Sequence, residues 1–315
     1  MSVKGMSVKT AVIGVGVQGE RHAEKFAALP ASNLLGVADA DAGRARAVAD
    51  RFGVNAISDY RELLDGVDAV AIATPTSTHH DVTRRFLENG VHVLLEKPLA
   101  TTMEEARDLV ELAESSGLVF QVGHLERFNP AVRALGSMIE RPQFIESNRI
   151  APYKPRALDV SVVLDLMIHD IDLIHSFVQS PMERVDAVGR RVFADSVDVA
   201  NARILFANGC IANVTSSRIS MKSERSLRIF QNDAYLSADL QNRVVTSYRK
   251  KHDGPVTTPE DVLIEKSDFP TADPMMAQAE AFLEAIANGR EALVSARSAM
   301  QALETADVIG RQAAH

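Results

Sequence analysis

The chain has 315 residues, 46% hydrophobic and 24% charged, with a formal net charge of -8. That length predicts two domains, that composition excludes a disordered chain, and an acidic balance without any Lys/Arg-rich run excludes an electrostatic footprint for nucleic acid. The single cysteine, Cys210, excludes an internal disulfide framework and a cysteine-based zinc site, and its apolar neighbours predict a packed thiol.

No segment reaches the roughly 18 apolar residues that a membrane span needs, and the first residues carry no apolar signal-peptide core, so the sequence predicts a cytoplasmic protein. From residue 8 to 124, strand and helix patterns alternate. Continuous apolar runs at 10–13, 34–38, 69–73, 91–95 and 119–122 read as parallel strands covered on both faces. Amphipathic stretches at 20–29, 41–52, 77–89 and 103–116 lie between them as helices, with Asp41 and Thr101 or Thr102 as caps. The series predicts an N-terminal Rossmann doubly wound parallel sheet over residues 1–124.

After His124 the pattern changes. Helices are expected at 129–139 and 160–178, and a strand at 144–150. Six strands then follow one another between 185 and 248, with Asn208-Gly209 and Asn232-Asp233 as hairpin signals. Residues 250–273 read as loop, and two helices, 274–287 and 296–312, close the chain. Residues 125–315 are thus expected to form an α+β domain with an open, mainly antiparallel sheet, suited to substrate binding and to self-association through that sheet; the last helix could pack back on the first domain.

The first strand runs into GVGVQG. Gly14 suits a tight turn, Gly16 a close approach of the backbone to a pyrophosphate, and Gly19 a helix packed close to its strand, with Val17 and Gln18 between them. Asp39 ends the second strand, where a carboxylate binds the adenosine ribose and disfavours a 2′-phosphate. NAD is therefore expected over NADP, although Arg44 and Arg46 lie near enough in sequence to hold a phosphate. Thr74, Pro75 and His79 follow the next strand and are expected on the cofactor side of the crevice.

Two segments carry proton chemistry. Lys97, after Glu96 and before Pro98, stands at the carboxyl end of a parallel strand, where open α/β sheets bind ligands. Asp165, His169 and Asp172 share a stripe of one predicted helix at spacings of four and three, whereas Asp170 is turned about 100° away from His169. A carboxylate beside an imidazole suits a general base near neutral pH; a buried structural His–Asp pair is the alternative. No spacing of ligands predicts a metal.

GVGVQG at 14–19, ATPTSTHH at 73–80, EKP at 96–98, GHLERFNP at 123–130 and DLMIHDID at 165–172 occur in the order found in the Gfo/Idh/MocA oxidoreductases, and the chain resembles that family over nearly its whole length. The resemblance implies a nicotinamide-dependent dehydrogenase acting on a sugar, polyol or nucleotide sugar. It implies Lys97, Asp165 and His169 as catalytic residues, Asp172 as a substrate contact and Glu96 beside the cofactor. Inositol- and glucose-type members carry glycines before the catalytic Asp, where this chain has residues 160–164, VSVVL. The segments VVLDLMIHDIDL and VGHLERFNPAV look like the branch similar to UDP-N-acetylglucosamine 3-dehydrogenases, with Lys154 and Arg156 as candidates to meet a diphosphate. A free-polyol dehydrogenase and a non-catalytic cofactor-binding regulator are the other expectations.

Overall fold

The computed structural model describes residues 7–155 and 160–314. The chain divides into two compact units, Met1–Leu125 with Asp273–Met300, and Glu126–Ala272 with Gln301–His315. The first boundary lies next to the expected one at 124/125. The second part is not contiguous, because residues 273–300 return to the first unit.

The first unit contains β1 (Val8–Ile13), α1 (Val17–Ala28), β2 (Ser32–Ala38), α2 (Ala42–Phe52), β3 (Asn55–Ile57), β4 (Ala69–Ile72), α3 (His79–Glu88), β5 (His92–Leu95), α4 (Met103–Ser116) and β6 (Phe120–Val122). The strands are parallel in the order β3-β2-β1-β4-β5-β6. That is the doubly wound order, whose direction reverses between β1 and β4 and opens a crevice at the strand ends. The apolar runs are largely covered: every residue of β4 is buried, and Leu34 and Leu35 of β2 are half-buried. Asp41 caps α2 by accepting from the Arg44 N–H, and Thr102 with Glu105 forms a capping box on α4. Later in the chain, the helix Pro274–Asn288 belongs to this unit because its apolar face completes the core: Phe282 stacks on Phe26 at 6.5 Å and joins Val12, Val37 and Leu94.

The second unit begins with α5 (Pro130–Gly136), β7 (Phe144–Ile150), a π-helical turn (Val163–Met167) and α6 (Ile168–Val178). It continues with β8 (Met182–Arg190), β9 (Val199–Phe206), β10 (Ile211–Ser217), β11 (Glu224–Phe230), β12 (Ala234–Asp239), β13 (Val244–Lys250) and β14 (Val262–Asp268). The helix Pro274–Asn288 is α7, and Ala296–Ala313 is α8. The eight strands form one sheet, β14-β13-β12-β11-β7-β10-β9-β8. All neighbours are antiparallel except β7 and β10. The C-terminal end of α8 is tied to β8, with the Gln312 side chain donating to the Val185 carbonyl and accepting from the Ala187 N–H.

Three elements differ from expectation, the first being the short strand β3, which pairs with β2 at the edge of the first sheet. The stretch 250–273 contains β14, which pairs with β13 along its whole length. Its residues are almost all exposed, as befits a charged edge strand, so no alternation of apolar residues marks it. The expected continuous helix at 160–178 instead starts with the π turn, which one residue per turn too many creates inside an otherwise helical run.

A buried ion pair organises one end of this sheet. Asp198 is fully buried; one oxygen accepts from Arg218 Nε at 2.8 Å, the other from the N–H groups of Val192, Phe193 and Ala194 at 2.8, 2.7 and 3.1 Å. Burial alone would raise its pKa, but the Arg218 bond and the three N–H groups hold it at about 2, below the ordinary 3.8. Its contribution to stability is therefore complete above pH 3.8 and is lost as the pH falls towards 2. Asp198→Asn should destabilise the protein at neutral pH by about 2 kcal/mol or more, and the difference from wild type should shrink on acidification across that window. Urea unfolding at a series of pH values checks this; a constant gap would refute it.

Candidate active site

In the first unit, the ends of β1, β2 and β4 line a cleft of about 920 Å³ whose walls include Gly14, Gly16, Asp39, Arg44, Thr74 and Pro75. Gly14 has φ +79°, and a Cβ there would sit 2.8 Å from the Ala73 carbonyl oxygen. A Cβ on Gly19 would stand 1.7 Å from the Gly14 carbonyl oxygen, so this helix start can lie against the turn only without a side chain. A Cβ on Gly16 would meet no protein atom: the space beside it is open. Val17 and Gln18 are exposed in the first turn of α1. A helix N-terminus opening on such a turn is a cradle for a pyrophosphate.

Asp39 accepts from the Val15 N–H through one oxygen and from the Asp41 N–H through the other, both at 2.9 Å. Arg44 lies 3.4 Å from Asp39 and 3.5 Å from Asp41, so its charge is shared between two carboxylates. Arg46 pairs instead with Asp50 on the exposed side of α2. The reservation raised by these arginines is answered by that pairing: the net charge of this trio is negative, which opposes a 2′-phosphate.

Lys97 follows β5 and is half-buried. The residues on both sides of it are pinned by buried histidines. On one side, Glu96 Oε1 accepts from His22 Nε2 of α1 at 2.9 Å. Burial would raise the Glu96 pKa, but the His22 bond and the charges of His22 and Lys97 hold it below its ordinary value. On the other side, the Pro98 carbonyl lies 2.8 Å from His79 Nδ1, while His79 Nε2 lies 3.0 Å from the Thr74 carbonyl. Burial pushes the His79 pKa down, against the two carbonyls that raise it. His79 is 1% exposed and has both nitrogens committed. Expected beside the cofactor, it braces two strand ends, and Glu96, expected there too, gives Oε1 to His22.

In the second unit, Asp165 lies in the π turn and His169 in the first turn of α6, both half-buried. The turn is started by Ser161, whose carbonyl accepts from the N–H groups of Leu164 and Asp165 at 3.0 Å each. Asp170 points away as expected, towards β7: Arg149 donates to it at 2.7 and 3.1 Å and to Glu126 at 3.0 Å. Burial disfavours the Arg149 charge, but the two carboxylates outweigh it and its pKa is raised. Asp172, expected as a substrate contact, is 1% exposed, and its charged neighbour is Arg127 at 3.7 Å. It sits one turn beyond the half-buried His169, on a stretch of α6 whose neighbours Ile171, Leu173 and Ile174 are all buried, and both of its carboxylate oxygens are buried without a hydrogen-bond partner. Lys154 is exposed; Arg156 lies outside the described residues. Among the described residues, no three His, Cys, Asp or Glu side chains are grouped to hold a metal ion, and no helix is long and apolar enough to cross a membrane. Cys210 is buried, with its thiol pushed up to about 11 by burial.

Residues 8–124 match the oxidoreductase family model with an NAD-binding Rossmann fold, and residues 140–237 match the GFO/IDH/MocA C-terminal domain. The chain is 41% identical over 286 residues to UDP-N-acetylglucosamine 3-dehydrogenase of Acidithiobacillus ferrooxidans, covering 90% of each. It belongs to the Gfo/Idh/MocA oxidoreductase family. Scyllo-inositol 2-dehydrogenase (NAD(+)) of Bacillus subtilis is 32% identical over 233 residues, 68% of each chain. Among solved structures, the Acidithiobacillus enzyme superposes with a TM-score of 0.91 at 36% identity, covering 98% of this chain and 99% of the other. Levoglucosan dehydrogenase in complex with NADH and levoglucosan shares the fold, with a TM-score of 0.87 at 21% identity over 98% of each.

NAD is the cofactor of this Gfo/Idh/MocA chain, and the glycine cradle, the open space at Gly16 and the Asp39 carboxylate fit its pyrophosphate and ribose. His22, Glu126 and Arg149 were missed in the sequence as site-building residues, although Glu126 lies within the family segment GHLERFNP. Replacing Asp39 by Ala leaves Arg44 with Asp41 as its one carboxylate partner and removes a charged acceptor worth about 1.5–3 kcal/mol. The KM for NAD should rise about 10- to 100-fold while NADP becomes a better substrate, measured by steady-state kinetics with both cofactors. Unchanged selectivity would refute the assignment.

Proposed function

We propose that this chain is an NAD-dependent dehydrogenase that oxidises the C3 hydroxyl of UDP-N-acetylglucosamine to the 3-keto nucleotide sugar. The observation that carries this reading is 41% identity across 90% of both chains with a UDP-N-acetylglucosamine 3-dehydrogenase, against 32% across 68% for the scyllo-inositol enzyme. The residues 160–164, VSVVL, which replace the glycines of inositol-type members, favour the same choice.

In the proposed reaction, His169 removes the hydroxyl proton, Lys97 stabilises the negative charge that develops on that oxygen, and Asp165 orients the imidazole and the hydroxyl. NAD, when bound, supplies the acceptor for the hydride that leaves the same carbon. The carbinol thereby loses a proton and a hydride and becomes a ketone. The pinned backbone on both sides of Lys97 supports a role that needs a fixed ammonium group. Lys154, with Arg156, is assigned to the substrate diphosphate. The reading extends to a cytoplasmic enzyme that self-associates through the open face of its second sheet, where Phe144, Glu146, Asn148 and Ile150 alternate with buried neighbours.

Lys97→Ala and His169→Ala should each lower kcat by about 10²- to 10⁴-fold while NAD binding, followed by fluorescence titration, stays at the wild-type level. Near-normal turnover in both variants would overturn the roles. Reduced-nicotinamide absorbance with UDP-N-acetylglucosamine and with myo-inositol decides the substrate: the first should be oxidised and the second not.

A further inference from the structure

Three loops of the second unit meet at one end of its sheet. The segment after Ile150 leaves β7, residues 191–198 join β8 to β9, and residues 218–223 join β10 to β11. The register sets Ile150 against Ser217 and Glu224, and Val199 against Ser217 and Arg190, so all three loops lie side by side. They carry exposed apolar side chains: Phe193 is 63% exposed and Tyr153 is 40% exposed, with Val192 and Met221 also open. The Phe193 and Tyr153 rings meet edge-on, with centroids 5.3 Å apart and planes at 84°.

This aromatic corner is built rather than left over. The Asp198 carboxylate takes three consecutive N–H groups, including that of Phe193, and so fixes the loop that presents the ring. Arg218, paired with Asp198, also donates to the Val160 carbonyl at 2.7 Å, and the Val162 N–H donates to the Val197 carbonyl at 2.9 Å. One network therefore holds both the exposed ring and the residues entering the turn that carries Asp165. A pre-ordered apolar surface lowers the entropic cost of binding a flat ligand. Lys154 and Arg191 are exposed in the same loops, and Asp195 is an exposed acid beside them.

We propose that Phe193 and Tyr153 form a stacking subsite for the nucleobase of a pyrimidine nucleotide-sugar substrate, with Lys154 and Arg191 supplying positive charge for its diphosphate. The inference rests on the nucleotide-sugar reading above. A bare sugar or polyol has no flat group to fill the corner. A second copy of the chain would need about 800 Å² on each partner, far more than two rings flanked by charges provide.

The test compares wild type with Phe193→Ala and Tyr153→Ala, and with Phe193→Trp as the conservative variant. Base–ring stacking predicts that the alanine variants raise the KM for UDP-N-acetylglucosamine about tenfold, leave kcat and NAD affinity unchanged, and weaken competitive inhibition by UMP in proportion. The tryptophan variant should retain wild-type KM, because any large ring suffices. Unchanged KM and UMP inhibition in the alanine variants would overturn the subsite, as would a change of sedimentation coefficient with KM unaltered, which would mark the corner as a contact between copies. Calorimetry with UMP separates the two proposals. UMP binding that Phe193→Ala weakens supports the subsite, and no binding to wild type overturns it; a wild type that binds UMP but does not oxidise UDP-N-acetylglucosamine overturns the substrate reading alone.

Discussion

Arg149 stands on β7 with almost no exposure, and its charge is tolerable there only because Glu126 and Asp170 come to it. Removing an ion from water costs several kcal/mol, and a single partner seldom repays it; two carboxylates with direct hydrogen bonds do. The consequence is geometric. With Asp170 drawn to the sheet, the rotation of α6 about its own axis is fixed, and His169, about 100° round the helix, is set off from that contact. The π turn in front of it carries Asp165 and is anchored separately through Ser161. The orientation of the histidine is thus inherited from a buried cation on the sheet.

The first unit solves the same problem with imidazoles. Lys97 sits at a strand end, a position free to wander unless its neighbours are held. His22 reaches from the cofactor-binding helix to Glu96, and His79 ties the Pro98 carbonyl to the Thr74 carbonyl. The fingerprint helix and the lysine are therefore mechanically linked: the element that opens on the pyrophosphate cradle also holds the carboxylate next to Lys97. Catalysis by positioned charge depends on such preorganisation, because a group that must move to meet developing charge loses much of its effect.

Much of this was legible from residue patterns. The parallel strands announce themselves as unbroken apolar runs, and GVGVQG after the first of them locates the cofactor cradle. What stayed hidden depends on contacts between residues remote in sequence. His22 and Glu96 are 74 residues apart, and nothing in the α1 pattern distinguishes a histidine that braces from one that merely packs. Helical periodicity set Asp172 on the stripe of Asp165 and His169 but could not show that this part of the stripe is buried beside Arg127. A π turn leaves no mark in an apolar segment such as VVLDLM, and β14, VLIEKSD, is an almost wholly exposed edge strand whose apolar residues stand together rather than alternate. The return of α7 to the first unit depends on Phe282 finding Phe26, a tertiary choice that no local signal encodes.

The central claim is that a single carbinol, at C3 of the nucleotide sugar, gives its proton to this protein and its hydride to the nicotinamide. The most direct measurement is isotopic: UDP-N-acetylglucosamine carrying deuterium only at C3 is incubated with the protein and NAD, and the reduced cofactor is analysed by mass spectrometry. The account predicts one deuterium on the nicotinamide ring and a slowed hydride-transfer step relative to the unlabelled sugar. Reduced cofactor without deuterium, or no reduction at all, would contradict it.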